Sequence, residues 1–241
     1  MIKSQNEIIY GIHPIIELLK AKRRKLVSIY TTRKTPKAWP SLQAILPPYV
    51  TINYVEKAAL DKLAGTPDHQ SIVAWTAPFI IRKKFFDPAH QKFLVMLDGI
   101  QDPRNTGAII RSAYCTGVDG VIVTASKSAP MNATVYKSSA GLAEHMDIYS
   151  ASSAQAGILE LKKAGYHIYI STLEKAQNAH EIQYQLPCCI VIGSEGTGVT
   201  RSILKDGTAI KLPQRTPDIS YNASVAAGLL LFLVGTQNKI I

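Results

Sequence analysis

Two segments in the last third of the chain combine glycines, hydroxyl groups and a carboxylate at spacings that could hold a small molecule. The first has the sequence VIGSEGTG at 191–198 and overlaps the apolar, β-branched run 188–192. A strand that ends in a glycine-bearing turn delivers a flexible loop at its carboxyl end. Because ligands bind at such strand ends in open α/β sheets, this loop predicts one wall of a ligand pocket.

The glycine order and Glu195 argue against a phosphate cradle. The order is G-x-x-G-x-G, unlike the G-x-G-x-x-G of dinucleotide sites, and no Lys-Ser/Thr pair follows as in a P-loop. Glu195 would repel a pyrophosphate, but its carboxylate could accept hydrogen bonds from a ribose, an amine or a nucleobase. The loop therefore favours an uncharged or cationic nucleoside-like ligand. The alternative is an ordinary strand-to-helix turn with a surface glutamate.

The second segment, LP at 212–213 followed by SYNASVAAG at 220–228, supplies further polar side chains. Residues 223–234 are almost wholly apolar, which predicts a buried helix that Ser220 or Asn222 would cap. One cap satisfies a helix start, so the other side chain is free for a further role. Capping alone would explain both residues without any function.

A third segment, 93–111, repeats the pattern of strand, polar loop and helix. We expect Asn105 or Thr106 to cap a helix that runs to about Gly117. Arg111 would lie inside this helix among small and apolar residues, so its charge needs a partner or a ligand phosphate. A structural ion pair is the alternative.

Taken together, the three segments resemble the SpoU/TrmH branch of the SPOUT RNA 2′-O-ribose methyltransferases. The first motif of that family, an Asn followed six residues later by an Arg, is matched by Asn105 and Arg111. The second, an apolar strand ending in Gly-x-Glu-Gly-x-Gly, is matched at 193–198. The fold implied is an α/β knot, a trefoil-knotted parallel sheet.

The third motif is matched less completely. Leu212-Pro213 and residues 220–226 correspond to the family's Ile-Pro and Ser-Leu-Asn-Val-Ser-Val-Ala. The chain departs from the pattern at 214–218, where the family has a Met-x-Gly stretch, and at Tyr221, where it has Leu. Both departures alter the pocket wall more than the chemistry.

The amino-terminal sequence extends the resemblance to nearly the whole chain. Residues 9–19, IYGIHPIIELL, resemble the opening Gly-x-His-x-Val-x-Glu-x-Leu of a ribosomal-protein-like substrate-binding domain. That domain precedes the knot in family members that modify ribosomal RNA. The resemblance is therefore closest to the branch of rRNA guanosine-2′-O-methyltransferases (RlmB-like).

The resemblance implies S-adenosylmethionine as cofactor and assigns roles to individual positions. Arg111 would act on the acceptor hydroxyl as base or activator. The residues that shape the catalytic site would be Asn105, Glu195, Ser220 and Asn222. The cofactor would be bound by Thr172, Gly193, Leu212, Tyr221 and Asn222, largely through main-chain atoms. The family also implies a homodimer through the knot domain, in which one protomer completes the site of the other.

The side-chain chemistry of Arg111 qualifies its role. A guanidinium has a pKa above about 12 and is a poor general base. Without the family, Arg111 would be an electrostatic clamp on a substrate phosphate and a stabiliser of a developing alkoxide.

Positive charge is concentrated in the first third of the chain. Residues 1–84 contain 14 Lys or Arg against 5 Asp or Glu, whereas residues 85–241 contain 13 against 12. The dense run Lys20–Lys25, followed by Arg33, Lys34 and Lys37, supplies sequence-independent attraction to a polyanion. The predicted RNA-binding residues are Lys22, Arg23, Arg24 and Lys25. A nuclear-localisation or membrane-surface role is the alternative, although no amphipathic aromatic face accompanies the run.

Length and patterning predict two α/β domains with a linker: 1–77 for RNA binding, 78–91 as linker and 92–241 for methyl transfer. In the first domain, 8–19 leads into a helix, 26–31, 50–55 and 71–75 are predicted strands, and 39–46 and 58–64 are predicted helices. In the second, predicted strands at 93–98, 120–124, 166–172 and 188–192 alternate with helical stretches. That alternation predicts a parallel sheet.

Cysteine usage and apolar run length bear on the compartment. Cys115, Cys188 and Cys189 form neither a disulfide framework nor a metal-ligand spacing, and no metal site is expected. The longest apolar helix, at 223–234, is shorter than the roughly 20 residues that a membrane span needs. We therefore expect a reduced cytoplasmic protein.

Two functional classes follow. The leading one is an enzyme that methylates a guanosine ribose in ribosomal RNA, with a tRNA ribose methyltransferase as the nearest enzymatic alternative. The tRNA branch commonly lacks this amino-terminal domain. The second class is an RNA-binding paralogue without turnover, against which the joint presence of the catalytic-motif residues argues.

Overall fold

The structure is a computed structural model that describes residues 6–216 and 219–241. Pro217 and Asp218, at the end of the divergent 214–218 stretch, lie outside the described residues. The chain divides into two units, Met1–Ile80 with Pro130–His145 and Ile81–Ala129 with Met146–Ile241. The sequence analysis, which divided the chain at 77 and 92, did not predict that residues 130–145 belong to the first unit. The predicted domain boundaries stay a prediction.

The first unit is built on a four-stranded sheet. Its elements are β1 (Glu7–Tyr10), α1 (Ile12–Ala21), β2 (Leu26–Thr31), α2 (Trp39–Gln43), β3 (Thr51–Tyr54), α3 (Lys57–Ala64) and β4 (Ile72–Thr76). The strand order is β1-β4-β2-β3, with β2 and β3 parallel and the other pairs antiparallel. The predicted strand at 26–31 is confirmed to the residue. β1 was not predicted, because its four residues merge with the apolar start of α1.

The second unit contains a seven-stranded sheet in which every pair is parallel. Its strands are β5 (Phe93–Asp98), β6 (Gly120–Thr124), β7 (Asp147–Ala151), β8 (His167–Ser171), β9 (Gln177–Asn178), β10 (Cys188–Gly193) and β11 (Thr208–Lys211), in the order β7-β6-β5-β10-β8-β11-β9. The predicted parallel sheet is therefore confirmed. All residues of β5 and β6 are buried, as expected for strands covered on both faces.

Helices cover both faces of this sheet. They are α4 (Pro103–Cys115), α6 (Ala154–Ala164) and α7 (Ala223–Gln237), while α5 (Ala133–Ser138) belongs to the first unit. Leu94 and Met96 of β5 pack in one apolar cluster with Ile158 and Leu161 of α6. α7 packs against α4 and β10. No helix within the described ranges is long and apolar enough to span a membrane.

Two helix predictions need correction. α4 begins earlier than expected, because Asp102 is its N-cap and accepts a hydrogen bond from the Arg104 backbone N–H at 2.8 Å, with Pro103 next to the cap. Asn105 therefore lies in the first turn of the helix. α7 is capped by Asn222, one of the two predicted caps, but the helix is not wholly buried, as described below.

Arg24 does not belong to the exposed basic run in which the sequence placed it. Its side chain is only 2% exposed and pairs with Glu144 at 2.5 Å and with Glu7 at 2.9 Å. The guanidinium also lies 4.5 Å from the ring centroid of Tyr136. The prediction that Arg24 binds RNA is wrong, because this guanidinium is occupied by carboxylates inside the first unit.

Candidate active site

Three parallel strands of the second unit end at one cavity. It has a volume of about 320 Å³ and lies at the carboxyl ends of β8, β10 and β11. Four of the five predicted cofactor-binding residues line it, together with two of the predicted catalytic residues: Thr172, Gly193, Leu212, Tyr221, Glu195 and Ser220. The volume is at the lower end of the range for small-molecule sites.

The loop after β10 is a closed turn with a firm backbone geometry. Ser194 and Gly198 exchange two backbone hydrogen bonds, of 3.1 and 3.0 Å. A Cβ on Gly193 would lie 2.2 Å from the backbone of Gly198 and Val199, so no other residue fits there without moving the turn. By contrast, a Cβ on Gly196 would meet nothing within 4 Å. Gly193 is therefore required by close backbone approach.

A hydrogen bond joins the first and second motifs. The Asn105 Nδ2 group on α4 donates to Glu195 Oε1 in the loop after β10. This contact spans 90 positions in the sequence and orients a carboxylate that is otherwise exposed. Asn105 itself does not line the cavity and contacts the site through this hydrogen bond to Glu195.

The start of α7 supplies the third wall. Asn222 accepts hydrogen bonds from the Ser224 backbone N–H at 2.9 Å and from the Ser224 hydroxyl at 2.6 Å, so its amide oxygen is used as a cap. Asn222 is outside the cavity wall, whereas exposed Ser220 lines it. The Tyr221 hydroxyl donates to the Pro213 carbonyl at 3.2 Å, which ties the two halves of the third motif together.

Arg111 stands apart from the cavity. It lies on α4 six residues after Asn105, so the two side chains are separated by about 120° around the helix axis. Its side chain is exposed and forms no ion pair with any residue that the structure describes. The structural ion pair considered from the sequence is therefore absent among the residues at 6–216 and 219–241. The guanidinium is available to a ligand or to another chain.

The cavity wall contains charges that the sequence analysis missed. Glu174 lies just beyond β8, Arg201 follows the loop after β10, and Lys211 ends β11. The sequence offered one signal for two of them, their closeness to predicted cofactor residues: Lys211 directly precedes Leu212, and Glu174 follows Thr172 by two residues. Carboxylates and cations in one small cavity suit a zwitterionic ligand that also carries hydroxyl groups.

Comparison with protein families adds an independent finding. Residues 92–232 match the model of the SpoU rRNA Methylase family. Residues 8–80 match the model described as RNA 2′-O ribose methyltransferase substrate binding. Together the two matches cover both parts of the chain that the sequence motifs pointed to.

Individual relatives agree with the family models. The chain is 30% identical over 239 residues, covering 95% of each chain, to Bacillus subtilis strain 168 YacO, whose name assigns it to the TrmH family of tRNA/rRNA methyltransferases. A solved RNA 2′-O ribose methyltransferase superposes with a TM-score of 0.85 at 21% identity, covering 99% of this chain and 90% of that one. An AdoMet-bound rRNA methyltransferase from Sinorhizobium meliloti gives a TM-score of 0.82 at 18% identity, covering 99% and 89%.

These likenesses confirm the predicted fold class, an α/β methyltransferase domain on a parallel sheet preceded in sequence by a smaller substrate-binding domain. The chain belongs to the SpoU family of S-adenosylmethionine-dependent RNA methyltransferases.

Proposed function

We propose that the protein transfers a methyl group to the 2′-hydroxyl of a ribose in ribosomal RNA, with guanosine as the acceptor, in the cytoplasm. The observation that carries the proposal is the cavity at the ends of β8, β10 and β11, whose wall combines four of the five predicted cofactor residues with Glu195. The ribosomal target is supported by the rRNA methyltransferase that covers 99% of this chain, and guanosine by the motif resemblance alone.

The residues of the cavity fit S-adenosylmethionine. When bound, this cofactor supplies a methyl group that its sulfonium already activates, so the protein has mainly to align an acceptor hydroxyl. Glu174 and Glu195 can accept hydrogen bonds from ribose hydroxyls or an ammonium group, and Arg201 and Lys211 can pair with a carboxylate. Gly193 lets the backbone of the turn fold back close to the strand end at the cavity wall.

Arg111 and the Asn105–Glu195 pair have separate roles in binding and activating the acceptor. Arg111 holds a substrate phosphate and stabilises negative charge as the acceptor oxygen loses its proton. Asn105 fixes the orientation of Glu195 through their hydrogen bond. Ser220 adds a hydroxyl to the same wall.

Two copies of the chain pair through α7, so that Arg111 of one copy serves the cavity of the other. The pairing is supported by an exposed apolar stripe on α7, since Val225, Leu229 and Phe232 recur at helical spacing and are 49%, 43% and 54% exposed. Tyr114, on the same helix as Arg111, is 44% exposed. Large exposed apolar stripes mark association surfaces.

Mass spectrometry of 2′-O-methylated nucleosides, compared between wild type and a strain that lacks this gene, tests the proposal. We expect one 2′-O-methylguanosine to disappear from ribosomal RNA and to return when purified protein and S-adenosylmethionine are added. Loss of a methyl group from tRNA alone would favour the tRNA alternative. Unchanged RNA in both fractions would identify an RNA-binding paralogue without turnover.

A further inference from the structure

The basic residues that flank β2 form two clusters, one beyond each end of the strand; an edge of the sheet here means the border where strand ends lie. Lys22, Arg23 and Lys25 precede the amino end of β2, and we call them the amino-edge cluster. Arg33, Lys34 and Lys37 follow its carboxyl end and form the carboxyl-edge cluster. The six residues of β2 separate the clusters by about 20 Å at roughly 3.3 Å per residue. Basic residues that the sequence analysis grouped together therefore lie on two surfaces.

The amino edge already uses much of its charge within the protein. Lys20 pairs with Glu17 at 2.8 Å, and Arg24 is buried against Glu144. The ammonium of Lys25 lies 4.8 Å from the ring centroid of Tyr49. Cations at the end of α1 also face the negative end of the helix dipole, so their presence has a structural explanation.

The carboxyl-edge cluster has no such explanation. Arg33, Lys34 and Lys37 are exposed, and none forms an ion pair within the described part of the chain. Glu56, the N-cap residue of α3, is the nearest acid in sequence to this end of β3. Its single negative charge does not balance the three positive charges of the cluster. Three unpaired cations within five residues repel one another and invite an anionic partner.

An exposed aromatic ring lies at the same edge. Tyr54 ends β3 and is in register with Thr31, the last residue of β2, two residues before Arg33. It is 53% exposed, and no ring or cation within the described ranges covers it. Tyr49, at the amino edge, is 55% exposed but is covered by Lys25. Of these two tyrosines, Tyr54 is the one that combines an uncovered ring with neighbouring cations that form no ion pair among the described residues.

The third feature of this edge is a strained turn before β4. Gln70 and Ser71 have φ angles of 55° and 61°, which side chains with a Cβ rarely adopt. The turn is held by buried His69, whose Nδ1 accepts from the Ser71 N–H at 3.0 Å and whose Nε2 lies 2.8 Å from Asp61. Non-glycine residues with such φ angles cluster at ligand sites, where the surroundings enforce them.

We propose that the carboxyl edge of this sheet binds an unpaired segment of the substrate RNA. Tyr54 stacks on an exposed base, and the carboxyl-edge cluster binds the adjacent phosphates. Stacking requires a base whose face is free, which single-stranded RNA offers and a duplex does not. The inference rests on the proposed function only in taking RNA as the substrate. It adds which surface of the first unit binds the RNA, and that the bound segment is single-stranded.

Matched charge reversals test the surface. R33E/K34E/K37E and K22E/R23E/K25E change the net charge equally, and anisotropy of a fluorescein-labelled single-stranded RNA of about 12 nucleotides reports binding at several salt concentrations. We expect the carboxyl-edge variant to lose at least about tenfold in affinity and about two units of logarithmic salt slope. The amino-edge variant should lose less. An equal or larger loss in the amino-edge variant would overturn the assignment.

Two tyrosines provide a test that does not depend on charge. Tyr54→Ala should weaken single-strand binding about tenfold, Tyr54→Phe should retain it, and Tyr49→Ala should stay within about twofold. A duplex of the same length should bind wild type and Tyr54→Ala alike. Equal effects of the Tyr54→Ala and Tyr49→Ala substitutions would contradict stacking at Tyr54. Both tyrosines are exposed, so thermal unfolding should confirm that each variant is folded.

The assay separates this inference from the proposed function. Methyl transfer from S-adenosylmethionine to ribosomal RNA is measured on wild type in parallel. Absence of transfer would remove the proposed function and leave the binding surface in place. Normal transfer with unchanged RNA binding in the carboxyl-edge variant would remove the surface and leave the function.

Discussion

Gly193 shows how one missing side chain shapes the cofactor cavity. The turn 194–198 folds back until its backbone lies only 2.2 Å from the position that a Cβ on Gly193 would occupy. Gly196 belongs to the same motif but faces open space. The two glycines are therefore not equivalent, although the motif presents them alike.

Gly193→Ala should lower S-adenosylmethionine affinity at least about tenfold, because the turn must shift by more than an ångström to admit the methyl group. Gly196→Ala is the matched control and should change affinity by less than about threefold. Calorimetry of cofactor binding on both variants measures the difference. Equal affinities would mean that the turn does not shape the binding site.

We expect Arg111 to act on the acceptor side of the reaction, since it is exposed and outside the cavity wall. Arg111→Ala should reduce methyl transfer by about 10²–10³-fold while leaving cofactor affinity unchanged. Arg111→Lys keeps the charge without the planar fork and should retain part of the activity. The comparison uses single-turnover transfer to ribosomal RNA. Transfer at the parental rate by the Arg111→Ala protein would refute the assignment.

At the scale of the element, helix α7 has one surface packed against α4 and another that exposes apolar side chains. Its glycines allow close packing: a Cβ on Gly228 would lie 3.4 Å from the Ser112 hydroxyl of α4, and one on Gly235 would lie 3.0 Å from the Thr116 carbonyl. A neighbouring stripe of the helix exposes Val225, Leu229 and Phe232. The expectation of a buried helix was wrong for that stripe within a single chain.

Leu229→Glu should convert the proposed dimer to a monomer and lower methyl transfer with it, because a charge would be buried in the proposed apolar interface. Leu159→Glu on α6 is the matched control, since Leu159 is 53% exposed on another helix of the same unit. Light scattering after size exclusion gives the mass of each variant. A Leu229→Glu protein that remains dimeric would place the interface elsewhere.

At the scale of the whole molecule, residues 130–145 return to the first unit after β6 has formed part of the second. Arg24 anchors this excursion through Glu144, and the Tyr136 hydroxyl donates to Glu7 at 3.0 Å. Burial lowers the pKa of Arg24, but hydrogen bonds and the charge of Glu144 outweigh it, and the net pKa is raised. The guanidinium therefore stays charged at the centre of a buried network.

Arg24→Ala should destabilise the protein by about 3–5 kcal/mol, because Glu144 would be left as an unpaired buried charge. Arg33→Ala removes an exposed arginine without an ion pair and should stay within about 0.5 kcal/mol of wild type. Urea unfolding of both variants measures the two changes. Similar stabilities would show that the buried pair contributes nothing net.

The sequence by itself determined the parts of this protein that depend on local physics. The strands at 93–98 and 120–124 follow from short apolar runs between turn residues, and they match the structure to the residue. Asn222 was one of two predicted caps, because a helix start needs a nearby side-chain acceptor. The order of the motifs pointed to the family and its cofactor.

Only the tertiary structure decided which charges are free. Arg24 and Lys25 are neighbours in one basic run, yet one is buried against a carboxylate 120 positions away and the other is exposed. The same holds for Asn105, whose partner Glu195 lies 90 positions away. Composition and periodicity report local preferences, whereas burial and pairing of a charge depend on contacts between residues distant in the chain. The two edges of the first sheet and the separation of Arg111 from the cavity could therefore be seen only in the fold.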